Sequence, residues 1–171
     1  MSEVIAEVGM KLDKDFRYYD KMLKRHGLKQ VFSCTTHDVY YTKHKSFDGM
    51  TENQIKNACV RIRNPKASDL VAEQQLLRDG YHKVFDTCKK DFHYRHDKMK
   101  SIVQIQDIDE IGLVVYYDNP DYYHLSVDEQ RKLLLNELNT YGFSFKEEDL
   151  GIDKLKTLYY NQEMFSENQN G

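Results

Sequence analysis

Between Glu3 and Leu12 the side-chain character alternates along the chain: Val4, Ala6, Val8, Met10 and Leu12 fall on one face of an extended segment, and Glu3, Ile5, Glu7, Gly9 and Lys11 on the other. A period of two sends successive side chains to opposite faces of a strand, and a slip of one residue would expose the whole apolar set. The opening segment is therefore expected to be a strand with one buried face and one mostly polar face. The same period returns at Ala58 to Arg63, where Val60 and Ile62 share a face and Cys59, Arg61 and Arg63 share the other, until Asn64 and Pro65 stop the strand.

Between and after these strands the signals are mixed. Asp13 is placed to cap a helix with Phe16, Tyr19 and Leu23 as its apolar stripe and Gly27 as its stop. Val31 to Tyr41 reads as one long strand or two short ones, and Phe47 to Met50 as a turn around Gly49. Ser68 to Gly80 has helix formers and capping residues. Phe92 to His96 and Ser101 to Asp107 read as strands joined by the turn Asp97 to Lys100, and Gly112 to Asp118 as a further strand. Ser126 with Glu129 makes a capping box for a helix carrying Leu134, Leu138 and Tyr141; a second box, Ser144 with Glu147, opens another before Leu155, Leu158 and Tyr159. Strands followed by helices, with few Pro or Gly interruptions, predict an α+β protein on a largely antiparallel sheet. One domain over residues 1–165 and a frayed polar tail over 166–171 are expected.

Composition narrows the function. Lys and Arg number 25 against 28 Asp and Glu, so no general affinity for nucleic acid or membrane surfaces is expected, and any anion site has to be local. No apolar run approaches the roughly 20 residues of a membrane helix, and the N-terminus lacks a signal-peptide pattern, so a cytoplasmic protein is expected. Cys34, Cys59 and Cys88 form no CxxC pair and signal neither a disulfide framework nor a zinc site. The histidines show no HExxH or facial-triad spacing, and the acidic turn Asp107, Asp109 and Glu110 is most simply a solvated loop.

What remains is a set of charged pairs at strand spacing: Glu7 with Lys11, Arg61 with Arg63, and His93 with Arg95. Any one pair alone is most simply a solvated face. In a closed barrel or tunnel, however, such faces line the lumen, and arginines converging there suit phosphate because the planar guanidinium donates paired hydrogen bonds to two oxygens.

The succession EVGMKL (Glu7 to Leu12), THDVYYT (Thr36 to Thr42), ACVRIR (Ala58 to Arg63) and DIDEIGLVVYYD (Asp107 to Asp118) resembles the motif order of the CYTH, or triphosphate-tunnel, family. Each motif is short; four in order across residues 3–118 make the resemblance. It implies an antiparallel β tunnel of about eight strands flanked by helices, in which basic side chains hold a triphosphate or polyphosphate and carboxylates hold Mg²⁺ or Mn²⁺. By position, Lys11, Arg61 and Arg63, with Arg95 as a looser match, would hold phosphate oxygens, and Glu7 and Asp118 would be metal ligands. The activities implied are hydrolysis of nucleoside, thiamine or inorganic triphosphate, or adenylyl cyclisation.

The chain departs from the family where metal is concerned. Gly9 and Tyr116 stand where two further glutamates would be, and Ser68 to Gly80 reads as helix where a lysine-bearing strand is expected. Two functions thus stay open: a metal-dependent triphosphate hydrolase or cyclase-like enzyme, and a catalytically reduced module that binds phosphate or nucleotide.

Overall fold

The computed structural model describes residues 5–146, 149–151 and 153–169. The fold is α+β. Its elements run β1 (Val8–Lys11), α1 (Phe16–Arg25), β2 (Lys29–Thr42), α2 (Glu52–Ala58), β3 (Cys59–Arg63), α3 (Leu70–Arg78), β4 (His82–Arg95), β5 (Ile102–Ile108), β6 (Gly112–Asp118), α4 (Val127–Thr140) and α5 (Lys154–Gln169). The strands lie in one sheet of order β1-β6-β5-β4-β2-β3. β1 with β6, β2 with β3, and β5 with β6 are antiparallel pairs.

Among the described residues the sheet has six strands, against the roughly eight expected, and is not closed into a barrel. The number falls because β2 and β4 are single 14-residue strands. Neither contains Gly or Pro, so nothing in the backbone divides them.

The chain divides into two compact units. The first comprises Met1–Cys34, Lys90–Ile108 and Gly112–Ile152. Its core is the apolar half of the β1 alternation, Val8 and Met10, packed with Val103, Ile105, Val115 and Tyr117 of β5 and β6, Leu23 of α1, and Leu134 and Leu138 of α4. The register explains the sharing: Val8 faces Tyr117 and Met10 faces Val115, so alternate residues of neighbouring strands turn to one side. Glu3 and Val4 of the alternation lie outside the described residues; after them β1 begins only at Val8, and the Ala6 amide donates to Gln130 Oε1 of α4 at 3.0 Å instead of to a strand. α1 is capped by Asp15, which accepts from the Tyr18 amide, and not by Asp13; Asp13 instead accepts from the Tyr19 hydroxyl at 2.7 Å. The Ser126–Glu129 capping box opens α4 as expected. The box expected at Ser144 and Glu147 reaches outside the described residues.

The second unit comprises Thr35–Lys89, Asp109–Ile111 and Asp153–Gly171. Ile55 of α2, Phe85 of β4 and Leu158 of α5 are buried in it, and the rings of Phe47 and Tyr159 meet at 4.8 Å. α2 was not anticipated, although Thr51 and Gln54 form a capping box in plain view. β4 begins at His82, ten residues before the strand expected from Phe92. Its first half hides from a periodicity reading because the buried face there carries Thr87, Lys89 and Asp91 as well as Phe85. Among the described residues no helix is long and apolar enough to cross a membrane.

Candidate functional site

In the second unit, β2 and β3 pair so that Asp38 faces Arg63 and Tyr40 faces Arg61. Directly opposed residues lie on one side of a sheet, so the strand period brings the two arginines and Asp38 together. Asp38 has no exposed surface. Arg63 grips it with both ends of its fork, Nε donating to Oδ1 at 2.8 Å and Nη2 to Oδ2 at 3.0 Å, while Arg61 Nη1 stands 3.8 Å from Oδ2.

Two lysines complete the cluster. Burial alone would push the Asp38 carboxyl up; the hydrogen bonds and charge of Arg63, with Lys89 and Arg61, hold it below the ordinary value. Lys89, on β4, is buried. Lys154, the first residue of α5, is half-buried, and its ammonium is brought down to about 8 by burial and then by Lys89 and Arg61, against the opposing pull of Asp38 and Glu52. Tyr40 closes one side: its ring lies 4.8 Å from that of Phe85, burial and the Asp38 charge raise its phenol, and a hydrogen bond with Arg61 acts the other way. Arg63, Arg61 and Lys89 thus act on one buried carboxylate, and Lys154 lies within the fields of that carboxylate, Glu52, Lys89 and Arg61.

Of this cluster, the sequence pattern singled out Arg61 and Arg63 but not Lys89 or Lys154. Lys89 sits on β4, the strand that follows α3. Lys154 carried no local signal, since a lysine opening a helix is ordinarily a surface residue.

The other predicted site residues belong to the first unit. Lys11 ends β1 opposite Val114 and is exposed. Arg95 ends β4, exposed, where its charge acts on Asp97 in the turn to β5. Glu7 precedes Val8 and Asp118 follows Tyr117, and since Val8 and Tyr117 pair, the two carboxylates leave the same end of β1 and β6. Asp118 accepts a hydrogen bond from the Tyr123 hydroxyl.

The two departures from the family turn out to be one structural event. Gly9 and Tyr116 are direct cross-strand partners, and the tyrosine ring lies so close over the glycine that a Cβ there would come within 2.9 Å of Tyr116 Cε1. The ring fills the space that a glutamate at position 9 would need. Beside it stand Gln104, opposite Tyr116, and Gln106, opposite Val114, and Gln104 donates to Asp91 Oδ1 at 2.7 Å. Amide oxygens and a phenol bring no negative charge to a hard cation at neutral pH, unlike the carboxylates they stand in place of. Among the described residues no three His, Cys, Asp or Glu side chains gather in metal-binding geometry, the acidic turn at Asp107 to Glu110 included. Among the described residues, Glu7 and Asp118 are the carboxylates at that end of β1 and β6, with Tyr116 and Gly9 in the next cross-strand pair.

Neither a family model nor a curated relative matches this chain. Solved structures do. The PH1012 protein of Pyrococcus horikoshii OT3 is similar with a TM-score of 0.59 at 14% identity, over 86% of this chain and 94% of that one. A conserved hypothetical protein of Pyrococcus furiosus gives 0.58 at 14% identity, over 86% and 95%. A protein of Vibrio parahaemolyticus described as a candidate adenylate cyclase gives 0.54 at 12% identity, over 89% and 95%. At such identities the likeness defines the fold alone, which this chain shares over 86–89% of its length.

Proposed function

We propose that this chain binds a triphosphate or other short polyphosphate, and that Arg61, Arg63, Lys89 and Lys154 hold it. The observation that carries the reading is that Arg61, Arg63 and Lys89 converge on the buried Asp38, with Arg63 held there by a two-point hydrogen bond. One bidentate arginine satisfies a buried carboxylate; bringing Arg61, Lys89 and Lys154 into its field as well costs desolvation and mutual repulsion, which the lowered Lys154 records. A polyanion entering the cluster relieves that repulsion and accepts charge-assisted hydrogen bonds from donors already oriented. The motif order of the CYTH family and the fold shared with a candidate adenylate cyclase support the same ligand class.

Of the two functions, the binding module fits the residues better, because Gly9 and Tyr116 replace hard-oxygen ligands with a closed contact. The enzyme reading, metal-dependent triphosphate hydrolysis or adenylyl cyclisation, draws its support from Glu7 and Asp118 at one end of β1 and β6. The test is a screen of purified protein with ATP, thiamine triphosphate and inorganic tripolyphosphate, in chelator, Mg²⁺ or Mn²⁺, following binding and phosphate or pyrophosphate release. Binding that persists in chelator without turnover is the expected result. Metal-dependent release would establish the enzyme reading, and no binding by any of the three would overturn the proposal.

A further inference from the structure

α5 opens in an unusual way. The amides of Leu155 and Lys156, immediately after Lys154, donate to Glu52 Oε1 at 2.9 Å and Oε2 at 3.1 Å. Glu52 is the first residue of α2, about a hundred positions earlier in the chain. It is itself held by the Thr51–Gln54 capping box at its back, and Ile55, one turn on, is fully buried. Helix starts are ordinarily capped by the residue just before them, and Asp153 stands there. A carboxylate brought from a distant helix does more than satisfy two amides: it fixes where the first turn of α5 lies, and with it the side chain of Lys154.

Resting on the anion-site reading above, we infer that Glu52 is a positioning residue for the polyphosphate, clamping the start of α5 so that Lys154 joins Arg61, Arg63 and Lys89 as the fourth cation of the site. The groups facing Lys154 come from four elements: Lys89 from β4, Arg61 from β3, Asp38 from β2 and Glu52 from α2. Burial and the two cations favour the neutral amine, and the two carboxylates favour the ammonium. In the ligand-free protein Lys154 therefore loses its proton near pH 8, and a bound polyanion, by adding negative charge, restores it. Glu52 acts twice, through the position of α5 and through its charge.

The experiment is calorimetric titration of the full chain with inorganic tripolyphosphate in chelator, from about pH 6.5 to 9.5, in buffers of different ionisation enthalpy so that proton uptake is read with affinity. Wild type is expected to take up a proton on binding near pH 8, with affinity falling by up to about tenfold per pH unit above it. Lys154→Met should abolish the uptake and flatten that limb. Glu52→Gln keeps an acceptor for one amide but removes the charge, so the midpoint of the pH limb should move below that of wild type and affinity at pH 7 should drop. Glu52→Asp should recover most of both. The Lys154 midpoint is also read without ligand, by NMR of ¹³C-dimethylated lysines, which keeps the inference testable if a variant binds too weakly. A Glu52→Gln protein that melts at lower temperature but keeps the wild-type pH midpoint makes Glu52 merely structural and overturns the inference. Binding that depends on Arg63 but shows the same pH limb in Lys154→Met also overturns it and leaves the anion site standing. Absence of tripolyphosphate binding at every pH overturns both.

Discussion

Asp38 has no exposed surface and stays charged because Arg63 meets it with two hydrogen bonds while Lys89 and Arg61 add to the field. The sign of the consequence is fixed. The folded carboxyl lies below the ordinary 3.8, so its stabilisation is complete above that value and is lost as the pH falls through the lower, folded one. Asp38→Asn is expected to be less stable than wild type at neutral pH and to lose less stability on acidification below about pH 4, read as urea midpoints across that range. Arg63→Ala should weaken tripolyphosphate binding by roughly tenfold to a hundredfold, the loss of a charge-assisted contact worth about 1.5–3 kcal/mol. It also strands a buried carboxylate, so Arg63→Lys is the folded comparison: it keeps the charge and loses the fork. Thr36, on the same side of β2 as Asp38 by the strand period, has a buried hydroxyl without a hydrogen-bond partner in the described structure. Thr36→Val, nearly the same shape, should raise stability by up to about 1 kcal/mol by removing that group; an unchanged or lower urea midpoint would show that the hydroxyl is satisfied.

At the scale of elements, β1 and β6 are joined by the Gly9–Tyr116 contact. Gly9→Glu alone should be strongly destabilised or unfolded, since its Cβ meets the Tyr116 ring at 2.9 Å. Adding Tyr116→Glu removes the ring, and the double variant should fold better than the single one and gain affinity for Mn²⁺, measured by calorimetry with the metal alone. A folded double variant with no gain would mean that Glu7 and Asp118 do not complete a cation site there. β6 and α4 are joined by Glu137, which accepts hydrogen bonds from the hydroxyls of Tyr117 and Tyr122 and from the Asn119 amide. Burial and this carboxylate together push the Tyr117 phenol up. Glu137→Ala removes the acceptor shared by Tyr117, Tyr122 and Asn119, while Ser101 and Tyr141 remain as partners of the Tyr117 hydroxyl, and should cost about 0.5–1.5 kcal/mol, measured by urea unfolding, whereas Glu137→Gln should cost less. Both joints were invisible beforehand, because Gly9 and Tyr116 are more than a hundred residues apart and Glu137 has an unremarkable place on its helix.

For the molecule as a whole, ligand and stability are linked: a polyphosphate that binds only the folded state, at a hundred times its dissociation constant, should raise unfolding free energy by about 2.7 kcal/mol. The gain should shrink with added salt for the exposed parts of the arginines and persist more for the buried Lys89. A melting temperature that ignores tripolyphosphate would contradict the binding reading. Sequence alone determined those elements whose apolar residues repeat locally. The alternation around Val8 and Met10 made β1, that of Val60 and Ile62 made β3, Gly112 to Asp118 made β6, and the Ser126 box made α4. The α+β class followed from their order, and so did the pairing of Arg61 with Arg63, since a period of two puts them on one face wherever β3 lies. Tertiary structure decided the rest. The buried side of β4 is polar, and which polar side chains leave water depends on what another segment lays against them. Lys89 and Lys154 therefore come into the electrostatic field of Asp38 and Arg61 through packing that no local period announces. The closing of the Gly9 gap by Tyr116 was decided in the same way, by a strand register that brings together two residues the chain keeps far apart.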